Sequence, residues 1–340
     1  MKTMMKLLAL CLCLCLALTV LTFAACDTGS PDASGTEKVD IKTAKIGIIQ
    51  YISHPSLDNC TNGIIKGLTE AGASRDNITL QIGSDASAGT DCDTYAKNMV
   101  AQRYDLIFAV ATPAATVAAG AVRDTAIPLV FCSVSDPVAA GLVDSLAAPG
   151  GNITGTSDVL DLASQVDLIQ AMQPDVKKIG VLYTTSEANS ITQLQNLRDI
   201  CTARNIEVVD SGVQGASDIP AAAAALVGKV DCLNNFTDNN VVNNLSVVLD
   251  AANGAGIPVY GSEVEQVKNG CLASMSIDYV ELGRVTGQMG VSVLGGEAAA
   301  TMAVKTFSEA VPVINTEVVQ ALSLTVPEKY ASAERVTTTK

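Results

Sequence analysis

The sequence contains no tryptophan and a single histidine, His54, among its 340 residues. It has no C-x-x-C pair, no H-E-x-x-H motif and no G-x-S-x-G elbow. The glycine-rich nucleotide motifs G-x-x-x-x-G-K-[ST] and G-x-G-x-x-G are also missing. A catalytic metal site usually needs several His or Cys ligands within reach of one another. We therefore expect no metal, no cofactor and no catalytic residue.

Basic residues are scarce as well. The chain has 21 Lys and Arg against 35 Asp and Glu, which gives a formal net charge of −14. Nucleic-acid binding depends on clustered basic side chains that neutralise phosphates, so this balance argues against a nucleic-acid partner. A net negative charge of this size mainly favours solubility. We expect the protein to be a monomer.

The first 25 residues form a segment of their own. Lys2 and Lys6 precede an apolar stretch from 7 to 25, a pattern typical of an export signal. The last three residues of the stretch and the next residue, Cys26, read FAAC, which is similar to the lipobox of bacterial lipoproteins. In such proteins, cleavage precedes a cysteine that carries a diacylglycerol. We predict a signal peptide over 1–25 and lipidation of Cys26.

The alternative is an uncleaved transmembrane helix, for which the apolar stretch is marginally long enough. Either interpretation leaves the rest of the chain outside the cytoplasm and attached to the outer face of the membrane. Residues 26–43 are polar and rich in Gly, Ser, Thr and Asp, which predicts a flexible linker.

Six cysteines follow the linker. Several stand in apolar runs such as LVFCSV, where a cysteine behaves as a small buried hydrophobe, so we expect mostly free, buried thiols. They are Cys60, Cys92, Cys132, Cys201, Cys232 and Cys271.

The rest of the chain alternates short apolar runs with longer helix-like segments. Near-continuous apolar runs are typical of parallel strands that are covered on both faces, and the alternation predicts doubly wound sheets. The pattern then repeats: KIGIIQ (45–50) matches KIGVLY (178–183), and IPLVFCSV (127–134) matches IPVYGSEV (257–264). Repetition at a steady spacing predicts two structural copies, whereas two unrelated tandem domains would show no such spacing.

The predicted fold is therefore α/β, with two doubly wound parallel-sheet lobes joined by a hinge. The Gly-rich segment PGGNITGTSD (149–158) is expected to carry the chain to the second lobe, and the chain to cross back near Ser276–Tyr279 and again after Ala303. These crossings predict an N-terminal lobe of 44–156 plus 278–302 and a C-terminal lobe of 157–277 plus 303–330.

Polar clusters follow the predicted strands, where open α/β sheets bind their ligands. His54 and Thr112 stand at helix starts before prolines, and the free backbone N–H groups of such ends favour an anion such as a carboxylate. Asp238 and Glu263 in the other lobe would hold an ammonium. Anion donors on one lobe and acidic side chains on the other predict a clamp for an amino acid. In the alternative interpretation, Thr112, Asn189 and Asp238 are only helix caps.

These segments resemble the tryptophan/tyrosine-type ABC transporter substrate-binding proteins. The likeness extends over HPSLD (54–58), DLIFAVATPAA (105–115), IPLVFCSVSDPVAAGLV (127–143), PGGNITGTSD (149–158), KKIGVLYTTSEANS (177–190), KVDCLNNFTDNNVV (229–242) and DYVELGR (278–284). It implies a type I periplasmic-binding fold, an ABC permease and ATPase as partners, and a small amino-acid ligand, with tryptophan, tyrosine or phenylalanine as the expected class.

The resemblance, together with the clamp, gives a set of candidate ligand-binding residues. They are His54, Thr112, Pro113, Ala114, Ser133, Asp136, Asp158, Glu187, Asn189, Ser190, Thr237, Asp238, Asn239 and Glu263. Glu263 stands where the family more often has Asp.

Two other functions fit the same sequence. A ligand-sensing receptor would use this fold to signal to a membrane protein. An extracellular hydrolase would use Asp136, Asp238 or a serine, although no motif supports it.

Overall fold

The computed structural model describes residues 38–85 and 87–339. The predicted signal peptide, the Cys26 lipid site and the linker up to residue 37 lie outside the described residues. Among those that are described, no helix is both long and apolar enough to span a bilayer.

A six-stranded sheet forms from the first half of the chain and one short late strand. Its order is β11-β5-β4-β3-β1-β2, and every neighbouring pair is parallel. The strands are β1 (Ile46–Gln50), β2 (Ile78–Ile82), β3 (Leu106–Val110), β4 (Leu129–Cys132), β5 (Ile153–Ser157) and β11 (Lys305–Thr306). The helices around them are α1 (Pro55–Glu70), α2 (Ala88–Ala101), α3 (Thr112–Val122) and α10 (Tyr279–Leu294).

A second, four-stranded parallel sheet has the order β7-β6-β8-β9. Its strands are β6 (Lys178–Thr184), β7 (Glu207–Val213), β8 (Cys232–Asn234) and β9 (Val259–Tyr260). Its helices are α4 (Leu162–Met172), α5 (Ala188–Ala203), α6 (Ile219–Val227), α7 (Asn239–Asn243), α8 (Leu245–Ala255) and α9 (Val264–Lys268). This order repeats the β2-β1-β3-β4 order of the first sheet, so the predicted structural duplication is present. The predicted α/β class with parallel sheets is confirmed.

A small third sheet was not predicted. β10 (Ala273–Ser276) pairs antiparallel with β12 (Val311–Asn315), which pairs parallel with β13 (Glu334–Val336). The last helix, α11 (Thr316–Ala321), follows β12. Short 3₁₀ turns occupy Arg75–Asn77, Ala216–Asp218, Ala299–Thr301 and Glu328–Tyr330.

The chain passes between the two lobes three times. It leaves the six-stranded sheet after β5, returns between β10 and α10, and leaves again between β11 and β12. The segment 149–158, predicted as a link, contains the buried strand β5 itself. Lys305 and Thr306 pair with β5, so they belong to the first sheet although the predicted limit placed 303–330 in the second lobe. The lobe limits as a whole stay a prediction.

Each large sheet has an apolar core on both faces, as the near-continuous apolar strands require. In β1, Ile46 and Ile48 pack on one face of the first sheet and Ile49 on the other. In β6, Ile179 and Val181 face one core of the second sheet and Leu182 the other. The six cysteines after the linker are buried with free thiols, as expected.

The segment that follows β8 forms two helices, α7 and α8, and not one continuous helix. The break is at Asn244, whose backbone has φ −111° and ψ 23° and whose side chain donates to the carbonyl oxygen of Asn240 at 2.8 Å. Asparagine side chains compete for backbone partners in this way and interrupt helices.

Candidate functional site

A cleft of about 350 Å³ lies at the carboxyl ends of the strands of both sheets, where open α/β sheets bind ligands. The residues that line it are His54, Ser56, Leu57, Ala111, Thr112, Ser133, Ser135, Asp158, Asn189, Thr237, Asn239, Val242, Glu263, Gln266 and Tyr279.

The first lobe contributes two residues with left-handed backbones. Ala111, just before α3, has φ 80°, and Ser133, just after β4, has φ 58°. Non-glycine residues rarely adopt such angles, and they are found most often at functional sites. The turn at Ala111 directs the start of α3 toward the cleft. The first N–H groups of a helix have no partner within it, so that of Thr112, which lines the cleft, can bind an anion.

Asp158 is a buried carboxylate in the floor of the cleft. Its Oδ2 accepts hydrogen bonds from Ser133 Oγ at 2.7 Å and from the Tyr279 hydroxyl at 3.0 Å. Its Oδ1 accepts one from Ser135 Oγ at 3.2 Å. Burial raises the pKa of Asp158 above its ordinary value, and the three hydroxyl donors oppose that rise. The group therefore positions three side chains from two separate parts of the chain, the segment after β4 and the start of α10.

His54 and Asn239 meet across the cleft. His54 Nε2 lies 3.4 Å from Asn239 Oδ1, and the two residues are 185 positions apart. Burial lowers the pKa of His54 to about 4, so its ring is neutral near pH 7. A second contact between the lobes joins Gln193 Nε2 to Ser135 Oγ at 3.1 Å.

Glu187 lies behind Asn239, fully buried. Its carboxylate accepts the Asn239 backbone N–H, and its Oε2 accepts Asn239 Nδ2 at 2.7 Å and Asn189 Nδ2 at 3.2 Å. Burial raises the pKa of Glu187 to about 8, and the charge of Asp238 adds to the rise. Glu187 supports the residues that line the cleft but does not line it.

Glu263 lines the cleft and caps its own helix. Its carboxylate accepts the backbone N–H of Glu265 at 2.6 Å and of Gln266 at 2.8 Å. Burial raises the pKa of Glu263 to about 7, against the effect of these bonds and of the Ser56 hydroxyl.

Asp238 does not fit the ammonium contact that was predicted for it. Both its oxygens are occupied within its own lobe, by the N–H of Thr184 at 2.6 Å, its hydroxyl at 2.8 Å, Ser190 Oγ at 2.7 Å and the N–H of Val241 at 3.0 Å. The residue is fully buried and does not line the cleft. It caps α7 and connects that helix to Thr184 of β6. Asp238 is therefore a helix cap, as the alternative interpretation expected.

Three buried polar atoms among the residues that line the cleft have no hydrogen-bond partner in the described part of the chain. They are His54 Nδ1, Asn189 Oδ1 and Gln266 Oε1. Two are amide oxygens, which can only accept. Because an unpaired buried polar atom is costly, these positions favour a guest that brings hydrogen-bond donors.

The structure brings eight of the predicted site residues to the cleft: His54, Thr112, Ser133, Asp158, Asn189, Thr237, Asn239 and Glu263. Six do not line it: Pro113, Ala114, Asp136, Glu187, Ser190 and Asp238. Asp136 caps the nearby Ala139 N–H at 2.9 Å and lines a separate surface pocket.

Seven lining residues were not predicted: Ser56, Leu57, Ala111, Ser135, Val242, Gln266 and Tyr279. Six of them stand one to three positions from a predicted residue, and all but Gln266 lie inside quoted motifs. A wider window around each predicted residue would have found all but Tyr279. Within the described residues, no group of three or more His, Cys, Asp or Glu could hold a metal ion.

Comparison with known proteins agrees with this architecture. A curated tyrosine-binding protein of Clostridioides difficile (strain R20291) is 38% identical over 321 residues, which cover 94% of this chain and 92% of that protein. The crystal structure of an ABC domain in complex with L-Trp from Streptococcus pneumonia has 36% identity and a TM-score of 0.82, and the match covers 86% of this chain and 99% of that one.

A further match is the ligand-free, open structure of a substrate-binding protein with adhesive properties from Clostridium difficile. It has 35% identity and a TM-score of 0.66, with 87% of this chain and 100% of that chain covered. The type I periplasmic-binding fold that the resemblance implied is confirmed. The family model for ABC transporter substrate binding proteins matches residues 45–336, and the chain belongs to that family, which is not a class of enzymes.

Proposed function

We propose that this protein is the solute receptor of an ABC importer and that it binds an aromatic amino acid as a zwitterion in the cleft between its lobes. The observation that carries the proposal is the division of the cleft: free N–H groups at the start of α3 on one side, and unpaired acceptor atoms on the other. A carboxylate suits the first group and an ammonium the second.

The carboxylate end is supported by the turn at Ala111. The N–H groups of Thr112 and Ala114 have no partner within α3, and the helix dipole favours negative charge there. Pro113 occupies the position between them and has no N–H to leave unpaired.

The ammonium end is supported by Asn189 Oδ1 and Gln266 Oε1, which are unpaired acceptors. The carboxyl groups of Asp158 and Glu263 also line the cleft, and each adds negative potential when it is ionised. Of the two carboxylates that the sequence predicted as partners of the ammonium, Glu263 is the one that lines the cleft.

An aromatic ring has apolar surface to pack against. Leu57 from α1 and Val242 from α7 line the cleft from the two lobes, and the ring of Tyr279 lines it as well. The relatives support the ligand class, since one is a tyrosine-binding protein and another was solved with L-Trp. The structure is also closer to that L-Trp complex than to the ligand-free, open relative of nearly equal identity, with TM-scores of 0.82 and 0.66.

Calorimetry with matched ligands tests the clamp. We expect L-tyrosine, L-tryptophan or L-phenylalanine to bind, and tyramine and 3-(4-hydroxyphenyl)propionate to bind at least about tenfold more weakly than L-tyrosine. Tyramine lacks the carboxylate and the propionate lacks the ammonium, and each lost charged hydrogen bond costs about 1.5–3 kcal/mol. Equal affinity of L-tyrosine and either analogue would contradict the clamp.

The importer and lipid-anchor parts of the proposal need separate tests. We propose that Cys26 carries the lipid that holds the protein on the outer face of the membrane, and that an ABC permease and ATPase accept its ligand. Cys26→Ala is expected to move the protein from the membrane fraction to the soluble fraction, with the diacylglycerol mass lost from its N-terminal peptide. Deletion of the gene is expected to lower uptake of the ligand by cells. Unchanged fractionation or uptake would argue against the respective part.

A further inference from the structure

We propose that Glu187, acting through Asn239, holds His54 in the tautomer that is protonated on Nε2, so that His54 Nδ1 is a hydrogen-bond acceptor for the bound ligand. The part about the ligand rests on the proposed function, whereas the tautomer does not. Glu187 is a positioning residue in this scheme, because it acts on the ligand only through two other side chains.

The orientation of the Asn239 amide is the first step. Glu187 Oε2 receives Asn239 Nδ2 at 2.7 Å, the Asn239 backbone N–H at 3.1 Å and Asn189 Nδ2 at 3.2 Å. The Asn239 backbone N–H, which can only donate, also lies 3.2 Å from Oε1, but the two side-chain NH₂ groups donate to Oε2 alone. When Glu187 is neutral, its proton therefore belongs on Oε1, the oxygen with fewer donors, and Oε2 still accepts. In both protonation states the Asn239 NH₂ group points to Glu187 and Oδ1 points away from it.

The tautomer of His54 follows from that orientation. Asn239 Oδ1 lies 3.4 Å from His54 Nε2, and a carbonyl oxygen can only accept. The hydrogen of this contact must come from Nε2. The ring is neutral because burial lowers the pKa of His54 to about 4. A neutral imidazole with a proton on Nε2 has none on Nδ1, which is buried and has no partner within the described residues.

This contact joins the two lobes. His54 directly precedes α1 beside the six-stranded sheet, and Asn239 begins α7 beside the four-stranded sheet. Separation of the lobes would remove Asn239 from His54 and release the ring to exchange tautomers. The acceptor on the first lobe is thus set by a carboxyl group on the second, and only while the cleft is closed.

The chemical consequence concerns the choice of ligand. With His54 in this tautomer, all three unpaired polar atoms among the residues that line the cleft are acceptors: His54 Nδ1, Asn189 Oδ1 and Gln266 Oε1. The site therefore selects amino acids that present N–H or O–H groups toward His54, such as an ammonium, an indole N–H or a phenol. An isosteric group that only accepts, in the same place, would leave two lone pairs facing each other.

His54 can be observed directly, because it is the only histidine in the chain. With ¹⁵N-labelled histidine in the full-length protein, a long-range ¹H–¹⁵N correlation spectrum distinguishes a protonated from an unprotonated ring nitrogen. In the protein saturated with L-tyrosine or L-tryptophan, we expect protonated Nε2 and unprotonated Nδ1, with Nδ1 shifted in the direction of hydrogen-bond acceptance. A proton on Nδ1, or an imidazolium near pH 7, would overturn the proposal.

The role of Glu187 is tested by Glu187→Gln in the same experiment. A glutamine can present its NH₂ to Asn239 and let that amide turn, so we expect a mixture of His54 tautomers and an affinity for L-tyrosine lower by about tenfold, the usual effect of one buried hydrogen bond. Glu207→Gln is the matched control, since Glu207 is exposed on β7, and it should change neither value. A single Nε2–H tautomer in Glu187→Gln would show that Glu187 does not set it.

The outcomes separate the two proposals. If the wild type binds no amino acid but His54 carries its proton on Nε2, the proposed function is contradicted and the control of His54 by Glu187 is not. If the wild type binds an amino acid and His54 carries its proton on Nδ1, only the control of His54 by Glu187 is contradicted. Should Glu187→Gln fail to fold, the wild-type spectrum by itself still decides whether His54 carries its proton on Nε2.

Discussion

The hydroxyl of Tyr279 donates a hydrogen bond of 3.0 Å to Asp158 Oδ2, although the two residues are 121 positions apart. Asp158 directly follows β5, where the chain leaves the six-stranded sheet. Tyr279 is the first residue of α10, where the chain returns. The bond therefore joins two of the three connections between the lobes at the floor of the cleft. Both residues are buried, so the bond has little competition from water.

We expect Tyr279→Phe to lower the free energy of unfolding by about 1 kcal/mol, the usual net value of one hydrogen bond. Asp158→Ala should lower it further, by about 3 kcal/mol, because the hydroxyls of Ser133, Ser135 and Tyr279 all lose their acceptor. Urea denaturation of both single variants and the double variant gives the coupling between them. Strictly additive effects would mean that the bond does not contribute.

The sequence predicted the fold well because the fold depends on patterns that are local in the chain. Apolar runs such as DLIFAV predict β3, and the alternation of such runs with helix-like segments predicts the two doubly wound sheets. The third sheet was missed, since β12 carries a proline within its apolar run VPVIN, and β13 is a largely exposed strand of three residues, ERV.

The site was predicted less well because a strand end indicates a position but not a direction. Asp136 and Asp238 each follow a strand, and both side chains turn back to cap their own segments. Tyr279 and Gln266 follow no strand end of the two large sheets directly and reach the cleft through the packing of their helices. Only the three-dimensional structure reveals which polar atoms are already paired.

The crossing of α1 and α10 predicts an effect of glycine substitution. A Cβ at Gly63 would clash with the carbonyl oxygen of Val280, and one at Gly283 with that of Cys60. Backbone atoms cannot give way as side chains do, so the helices would have to separate. We expect Gly63→Ala or Gly283→Ala to lower the free energy of unfolding by about 1–3 kcal/mol in urea denaturation.

Gly89 in α2 provides the matched control. A Cβ there meets nothing within 4 Å. Gly89→Ala should therefore stabilise the protein by about 0.4–1 kcal/mol, since alanine restricts the unfolded chain. Equal losses in all three variants would contradict the close crossing of α1 and α10 as the cause of the effect.

Asp238 and Asp136 offer a comparison between a fully buried helix cap and a partly buried cap of a turn. Asp238→Ala leaves four donors, two of them on Thr184, without an acceptor in a fully buried place. We expect it to lower the free energy of unfolding by at least about 3 kcal/mol. Asp136→Ala removes only the bond to the Ala139 N–H, so about 1 kcal/mol or less should be lost. Similar losses in the two variants would contradict this account of Asp238.

The buried carboxyl groups predict that stability falls as the pH rises from 6.5 to 8. Burial raises the pKa of Glu187 to about 8 and that of Glu263 to about 7, from ordinary values of 4.5. The folded protein thus holds protons that the unfolded chain has released, and it must give them up as the pH rises. Their contribution to stability is complete below pH 4.5 and is lost as the pH rises through the folded pKa values.

His54 acts in the opposite direction at lower pH, which fixes the range to be measured. Its pKa is about 4 in the folded protein and 6.5 in the unfolded chain, so acid below pH 6.5 favours unfolding through this residue. Above pH 6.5 the protonated fraction of His54 in the unfolded chain falls from one half toward zero, so the carboxyl groups dominate the change in stability. We expect the wild type to lose about 1–2 kcal/mol between pH 6.5 and pH 8 by urea denaturation, since one group changes stability by at most about 1.4 kcal/mol per pH unit. Glu187→Gln cannot titrate and should show a smaller loss, so parallel profiles of the two proteins would contradict the raised pKa of Glu187.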